Sequence, residues 1–171
     1  MPNWKVTNGV IEVNEKNGIP FMYSEKVENS LTFKYYDYLA WSIYKSRTQK
    51  VLLLGLGGGS VLQLLKKWDY TPECTAIEID EDLTNFAVDH AWLDYPNLTI
   101  IHTDASTFEL TEKYDAIIVD LYSEQGYIQN MYQTEKIKLL LDGLTQNGSV
   151  YFHCFDPVVR FEAFNVFFSE K

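Results

Sequence analysis

Strand-like apolar runs alternate with segments of helical periodicity between residues 51 and 152, and no other feature of the sequence constrains the fold as strongly. The runs occupy residues 51–54, 74–79, 98–101, 116–119 and 150–152. Apolar side chains recur at helical spacing over residues 61–68, 83–91 and 137–144. A continuous apolar run is typical of a strand that is covered on both faces of a parallel sheet. The alternation therefore predicts a doubly wound, mostly parallel α/β sheet with right-handed crossovers.

Residues 1–30 have a different pattern and predict a small antiparallel unit. Strand-like runs at residues 10–13 and 19–23 flank a polar stretch containing Asn17-Gly18, and Asn-Gly is a strong signal of a hairpin turn. Residues 31–44 predict an amphipathic helix from four apolar residues at helical spacing, which are Leu31, Tyr35, Tyr38 and Leu39. We therefore expect an N-terminal β-hairpin unit at residues 1–30 and one main domain at residues 31–171.

The C-terminal part of the sequence is less regular. Asn147-Gly148 predicts a turn before the strand at residues 150–152. Phe161, Phe164 and Phe168 favour a final helix, although residues 162–166 can also be read as a strand.

A glycine-rich turn, GLGGGS at residues 55–60, follows the first strand. Ligands of open parallel sheets bind outside the carboxyl ends of the strands, so this turn lies where a ligand is expected. Glycine allows positive φ angles and a close approach of the backbone, and the helix that begins near Ser60 offers free N–H groups. A glycine run is weak evidence by itself, because any tight strand-to-helix turn can use one.

Carboxylates at the ends of the next two strands strengthen this interpretation. Glu78 lies about 20 residues beyond the turn, where an acid can accept hydrogen bonds from both ribose hydroxyls. Asp104 can accept from an adenine amine, and the N–H of Ala105 can meet a ring nitrogen. Either acid alone can be explained by capping, and we expect Asp80 and Asp104 to cap the following turns as well. Together they predict a Rossmann-like adenosine site, whose candidate residues are Gly55, Gly57, Gly58, Gly59, Ser60, Glu78, Ile79, Asp104 and Ala105.

Asp120 ends the fourth strand, which is expected to lie beside the first, so its carboxylate is predicted to face the reactive end of a cofactor. A carboxylate there can hold a substrate ammonium and take up its proton as the nitrogen attacks. The alternative is that Asp120 only caps or contacts the glycine turn. Tyr23 and Tyr122 are weaker candidates on the substrate side.

The formal net charge of −10 disfavours nucleic acid as a partner, because such binders collect cations to displace counterions from phosphates. It suits a small cationic substrate such as an amine, although excess carboxylates can also serve solubility alone. The sequence begins without an apolar targeting segment and contains no membrane span, and Cys74 and Cys154 lack disulfide or metal spacing. We therefore expect a cytoplasmic protein with buried thiols and no metal, and we interpret His90, His102 and His153 as structural.

These residues resemble the spermidine synthases (polyamine aminopropyltransferases) and the spermidine-synthase-like branch of class I methyltransferases. Residues 51–60 resemble the family's first strand and glycine motif, and residues 78–80 its E-I-D, whose glutamate binds ribose. Asp104-Ala105 resembles the adenine-contacting pair, and residues 113–120 resemble Y-D-x-I-I-x-D, whose last aspartate is catalytic. Residues 8–12 and Tyr23-Ser24-Glu25 are similar to the N-terminal hairpin and the Y-H-E motif. The resemblance implies a cofactor of the S-adenosylmethionine type.

Departures from the family pattern bear on the reaction. The aminopropyltransferase loop reads GGGDG, whereas Ser60 follows Gly57-Gly58-Gly59 here. A serine leaves room for a carboxylate, which favours intact S-adenosylmethionine over its decarboxylated form. Ser24 replaces the histidine of Y-H-E, and no D-S-x-D-P segment follows Asp120. The resemblance implies a homodimer, but the family continues into two further strands, and we expect these strands and part of the substrate pocket and of the usual dimer surface to be missing from this chain.

Four functions remain open at this stage. The leading hypothesis is a methyltransferase that moves a methyl group from S-adenosylmethionine to a nucleophile, which we expect to be an amine. Its closest rival is an aminopropyltransferase that makes a polyamine from decarboxylated S-adenosylmethionine. A nicotinamide-dependent oxidoreductase is suggested by the near fit of residues 55–60 to G-x-G-x-x-G/A, but Asp104-Ala105 and the resemblance oppose it. The fourth is an inert relative that binds a nucleoside or a partner protein.

Overall fold

The computed structural model describes residues 4–7, 10–14, 20–123 and 126–153. The strands are β1 (Trp4–Thr7), β2 (Val10–Asn14), β3 (Pro20–Glu25), β4 (Lys50–Leu54), β5 (Glu73–Glu78), β6 (Leu98–His102), β7 (Tyr114–Val119), β8 (Tyr122–Ser123), β9 (Gly126–Tyr127) and β10 (Leu144–Phe152). The helices are α1 (Tyr35–Lys45), α2 (Ser60–Lys67), α3 (Glu81–Asp89), a 3₁₀-helix (Gln129–Tyr132) and α4 (Thr134–Asp142).

The main sheet has five parallel strands in the order β10-β7-β4-β5-β6. The chain leaves the central strand β4 toward β5 and β6 and then returns to the other side through β7. The strand order therefore reverses between β4 and β7, which is where open α/β sheets bind ligands. This topology confirms the predicted Rossmann-like α/β fold.

Strand β4 is buried on both faces because its side chains alternate between two apolar clusters. Val51 and Leu53 pack into the cluster that contains helices α1 to α3. Leu52 and Leu54 pack into a second cluster with Leu140 of α4. This double burial explains why the strand reads as an uninterrupted apolar run in the sequence.

The N-terminal residues form a three-stranded antiparallel sheet rather than a simple hairpin. β2 and β3 correspond to the predicted runs, and β1 adds a further strand on the other edge of β2. The predicted turn lies at residues 15–19, outside the described residues.

Helix α1 presents a different face to the core from the one that the sequence predicted. The helix begins at Tyr35, so Leu31 precedes it and is 51% exposed, and Tyr38 is 76% exposed. Its buried residues are Tyr36, Asp37, Leu39, Ala40 and Ile43. Of the four residues used for the prediction, only Leu39 is among these buried residues, and Tyr35 is partly buried against the same core.

Two C-terminal details also differ from the prediction. Leu144 begins β10 instead of extending helix α4, which ends before Gly143. Asn147-Gly148 lies inside β10, where the register against β7 shifts between Leu144 and Ser149. An irregularity within a strand thus replaces the predicted turn.

Cys74 is buried as expected, whereas Cys154 and residues 161–168 lie outside the described residues. Within the described residues, every helix is too short or too polar to cross a membrane.

Candidate active site

A cavity lies at the carboxyl ends of the main-sheet strands, next to the point where the strand order reverses. Most of the residues predicted from the strand ends line it together: Gly55, Gly57, Ser60, Glu78, Ile79, Asp104, Ala105, Asp120 and Tyr122. A larger cavity of about 580 Å³ lies beside α4 but includes only Ala105 of that set. The smaller cavity is the candidate site because it gathers the carboxylates of three separate strand ends.

Three predicted residues are placed differently. Gly58 and Gly59 are buried and do not line this cavity. The carbonyl oxygen of Gly58 accepts a hydrogen bond from Nε2 of Gln63 at 2.9 Å, and Gly59 is the N-cap of α2. Their contribution is to shape the turn. The side chain of Tyr23 lies outside the described residues, so its role stays a prediction.

Glycine is required at position 55 by the close approach of two strand ends. Gly55 has a φ of +89°, and a Cβ atom on it would clash with the backbone carbonyl oxygen of Asp120. Its N–H donates to the carbonyl of Ile77 at 2.9 Å, while the N–H of Asp120 donates to the carbonyl of Leu54 at 2.9 Å. These bonds continue the sheet one residue beyond its strands and hold the glycine turn against Asp120.

The side chain of Glu78 accepts hydrogen bonds from the backbone of the glycine turn. Its side chain is almost fully buried, and Oε2 accepts from the N–H groups of Leu56 at 2.9 Å and Gly57 at 2.8 Å. Oε1 accepts from the N–H of Asp80 at 3.0 Å. A carboxylate has about four acceptor positions, so three backbone bonds leave capacity for about one further donor. The predicted pairing with both ribose hydroxyls therefore needs sharing or rearrangement of these bonds.

Asp80 and Asp104, which follow the next two strands, cap different kinds of structure. Oδ1 of Asp80 accepts from the N–H of Leu83 at 2.9 Å, which confirms the predicted cap of α3. Asp104 is followed by a turn rather than a helix, and its Oδ1 accepts from the N–H of Ser106 at 2.7 Å. Asp104 also lines the cavity, and Ala105 next to it is buried. Contact of these two residues with an adenine stays a prediction.

Asp120 is held by two side chains from opposite ends of the chain. Tyr35 at the start of α1 donates its hydroxyl to Oδ2 at 3.1 Å. Nδ1 of His153, directly after β10, lies 2.7 Å from Oδ1. The Asp120 side chain is only 14% exposed, so these bonds form in a largely dry environment.

Tyr35 is a protonated hydrogen-bond donor in this site. Burial raises the pKa of the Tyr35 phenol well above its ordinary value, and the nearby negative charge and hydrogen bond of Asp120 raise it further. Burial also raises the pKa of Tyr36, whose hydroxyl donates to the carboxylate of Glu25. Both phenols line the cavity, so its wall offers neutral donors next to carboxylate acceptors.

Sequence reasoning missed Tyr35 and His153 as site residues. The sequence pattern predicts Tyr35 only as part of the apolar face of a helix. The segment Tyr35-Tyr36-Asp37 nevertheless has the same tyrosine-x-acid spacing as Tyr23-Ser24-Glu25. His153 lies directly after a strand, and the structure adds that it contacts Asp120, which its interpretation as a structural residue did not include. A usable signal existed, since His153 follows the fifth apolar run just as Asp120 follows the fourth.

Comparisons with known proteins identify relatives of this chain. The spermine/spermidine synthase domain matches residues 21–160. The chain is 25% identical over 171 residues to a polyamine aminopropyltransferase of Hydrogenobaculum, covering 92% of this chain and 56% of that protein. It is 26% identical over 158 residues to a spermine synthase of Saccharomyces cerevisiae, covering 85% of this chain and 49% of that protein. The chain thus spans about half the length of the curated relatives it matches.

Solved structures show the same fold. A spermidine synthase in complex with the transition-state analogue AdoDATO has a TM-score of 0.65 and 20% identity, covering 92% of this chain and 54% of that one. A probable spermidine synthase from Corynebacterium glutamicum has a TM-score of 0.67 and 17% identity, covering 96% and 64%. Human methyltransferase-like protein 13 in complex with SAH has a TM-score of 0.58 and 18% identity, covering 75% and 67%. At these identities the structural likeness concerns the fold alone.

Proposed function

Because the chain belongs to the spermine/spermidine synthase domain family, we propose that it transfers an aminopropyl group from decarboxylated S-adenosylmethionine to an amine. This reverses the order of the two leading hypotheses from the sequence. One observation of the site favours aminopropyl transfer over methyl transfer. Among the described residues that line the cavity, the charged ones are Glu78, Asp104 and Asp120, and neither lysine nor arginine is present.

An acidic cavity distinguishes the two possible cofactors by their charge. Intact S-adenosylmethionine carries a carboxylate, which requires hydrogen-bond donors or a cation once it is removed from water. The decarboxylated form ends in an ammonium group, which carboxylates and tyrosine oxygens can accept. The acceptor amine is also cationic near neutral pH, and the net charge of −10 favours its approach.

The residues present fit the adenosine part of this cofactor. The glycine turn brings backbone close to the cavity without side chains, and Glu78 and Asp104 offer acceptors at neighbouring strand ends. When bound, the cofactor supplies a sulfonium that makes the adjacent carbon electrophilic and is itself a good leaving group. Asp120 then has the remaining role, which is to orient the acceptor nitrogen and accept its proton as it attacks.

Methyl transfer from intact S-adenosylmethionine is the second candidate, and Ser60 is the observation that favours it. The family's loop aspartate is absent at this position. The Ser60 side chain is buried, however, and its hydroxyl lies 3.4 Å from the carbonyl oxygen of Glu25. Ser60 therefore supplies no charge that would bind the carboxylate of the intact cofactor.

Calorimetric titration with both cofactors tests the proposal. We expect decarboxylated S-adenosylmethionine to bind at least about ten-fold more tightly than the intact form, a difference of about 1.4 kcal/mol. The variant Ser60→Asp, which restores the family's loop acid, should widen this preference, and Ser60→Ala is the matched control. Product analysis with a diamine acceptor should then show one added aminopropyl group. Tighter binding of intact S-adenosylmethionine together with a methylated product would reject the proposal.

A further inference from the structure

A buried contact behind the cavity wall bears on how Asp120 works. His153 does not line the cavity, and its side chain is only 10% exposed. Its Nδ1 nevertheless lies 2.7 Å from Oδ1 of Asp120, across 33 residues of sequence. Because an ionised carboxylate can only accept hydrogen bonds, Nδ1 must carry the proton in this pair.

The imidazole is held in a fixed orientation by its surroundings. The Tyr35 ring stacks on it with 3.7 Å between ring centroids and 9° between planes, and the Tyr122 ring lies 5.2 Å away. The main chain of His153 is fixed as well. Its N–H donates to the carbonyl of Val119 at 2.9 Å, and its carbonyl accepts from the hydroxyl of Tyr132 at 3.0 Å. Nδ1 is therefore directed at Asp120 by packing and by continuation of the sheet.

The two oxygens of Asp120 have different neighbours. Oδ1 meets His153, which lies behind the cavity wall, whereas Oδ2 meets the hydroxyl of Tyr35, which is part of the wall. This asymmetry assigns Oδ2 to the cavity side and Oδ1 to the protein side.

We propose that His153 is a positioning residue whose Nδ1–H holds Oδ1 of Asp120, so that Oδ2 is the oxygen that receives the proton of the acceptor amine. The inference rests on the proposed aminopropyl transfer. In that step the nitrogen–carbon bond forms, the carbon–sulfur bond breaks and its electron pair goes to sulfur. The proton leaves the nitrogen for Oδ2 of Asp120, and His153 keeps its own proton throughout.

The described groups that face the imidazole are Asp120 directly after β7, Tyr35 from α1 and Tyr122 from β8, with Tyr132 on its main chain. Asp120 is the only carboxylate among these described neighbours.

Two substitutions separate the hydrogen bond from the ring. His153→Asn keeps a donor one bond beyond Cγ, whereas His153→Phe keeps the stacking on Tyr35 and removes the donor. With decarboxylated S-adenosylmethionine and 1,4-diaminobutane, we expect His153→Phe to lose about 10- to 100-fold in kcat with little change in KM, the cost of one charge-assisted hydrogen bond. His153→Asn should stay within about three-fold of the wild type. Its KM should also match that of the wild type.

Several outcomes would overturn the inference. One is a His153→Phe variant whose kcat stays within about two-fold of the wild type. Another is an equal loss of kcat in both variants, which would mean that the donor kept by His153→Asn makes no difference. If His153→Phe fails to fold, as judged by its thermal unfolding, the kcat of His153→Asn and the proton signal of His153 described next still decide.

Nuclear magnetic resonance of the cofactor-free protein separates this inference from the proposed function. The Nδ1–H of His153 should give a slowly exchanging, downfield-shifted proton signal that is lost in Asp120→Ala. Its absence in the wild type would overturn the inference alone. Failure of the wild type to transfer an aminopropyl group, with the signal present, would reject the proposed function and the catalytic part of the inference with it.

Discussion

At the scale of single residues, the site depends on carboxylates whose acceptor positions are already in use. Glu78 binds three backbone N–H groups, and Asp120 binds one phenol and one imidazole. Such bonds in a buried environment fix a side chain at the cost of its freedom to move. Substitutions that keep the shape of these residues but remove an acceptor should therefore have large and different effects.

Asp120→Asn should abolish most of the turnover while leaving cofactor binding nearly intact. The amide cannot accept a proton at the position of Oδ2, and loss of a positioned general base lowers kcat by about 100- to 10,000-fold. Steady-state kinetics and calorimetric cofactor titration are the measurements. Asp89→Asn, which changes an exposed aspartate at the end of α3, is the matched control. A rate unaffected by the change at Asp120 would remove this residue from the mechanism.

Glu78→Gln should weaken both the fold and the cofactor site. One amide oxygen cannot serve three backbone donors, and the amide N–H₂ faces N–H groups, so we expect a loss of about 1–3 kcal/mol in the free energy of unfolding. Urea denaturation and calorimetry measure the two effects. Glu81→Gln, on an exposed position of α3, should change neither. Wild-type stability in Glu78→Gln would mean that the glycine turn is held by its own backbone geometry.

At the scale of elements, the entry to helix α1 decides where Tyr35 lies. Asp37 is buried within α1, and its Oδ2 accepts from the N–H groups of Thr32 at 2.9 Å and Phe33 at 2.6 Å. Its Oδ1 accepts from the hydroxyl of Thr32 at 2.7 Å. Phe33 has a φ of +62°, which is unfavourable for a bulky residue, so these bonds maintain a strained turn just before the helix.

Asp37→Ala should therefore act on the active site from a distance. We expect a loss of about 1–3 kcal/mol in the free energy of unfolding, because two backbone N–H groups and the Thr32 hydroxyl lose a charged acceptor in a partly buried turn. A lower kcat should accompany it, because the start of α1 no longer places the Tyr35 hydroxyl against Asp120. Asp37→Asn, which keeps one acceptor oxygen, should be intermediate in both denaturation and kinetic measurements. Reduced stability with a normal kcat would show that Tyr35 is held by its stacking on His153 alone.

At the scale of the whole molecule, the sheet is also tied together at the end opposite the cavity. Asp115 in β7 accepts from the N–H groups of Gln49 at 3.1 Å and Lys50 at 3.0 Å and from the hydroxyl of Thr145 at 2.9 Å. It thereby links β4, β7 and β10 where the parallel strands begin. Burial opposes ionisation of Asp115, but the hydrogen bonds from Thr145, Lys50 and Gln49 together outweigh it and lower its pKa.

This lowered pKa predicts a pH dependence of stability. A group whose folded pKa lies below its unfolded value, about 3.9 for aspartate, contributes stability at higher pH that is lost as the pH falls through the folded pKa. Asp115→Asn should lower the free energy of unfolding near neutral pH and flatten its decline below about pH 4. Urea denaturation across this range is the measurement. Asp89→Asn, at an exposed position of α3, is the control and should contribute little. An equal effect of both substitutions would contradict the prediction.

The sequence by itself determined the features that depend on local pattern. Continuous apolar runs specified the strands of the parallel sheet, because strands buried on both faces need apolar residues at every position. The glycine turn at residues 55–60 and the acids Glu78, Asp104 and Asp120 followed, because parallel strands bring their carboxyl ends to one edge. These features need no knowledge of distant partners.

Only the tertiary structure decided which side chains complete the site. Tyr35 and His153 lie 85 and 33 residues from Asp120 in sequence, and they meet it because α1 and β10 pack beside the end of β7. The buried face of α1 and the irregular register of β10 likewise depend on neighbours that no local period encodes. Sequence periodicity indicates which residues are buried away from water. Contacts between distant elements depend on how those elements pack against one another, and this packing exists only in the folded chain.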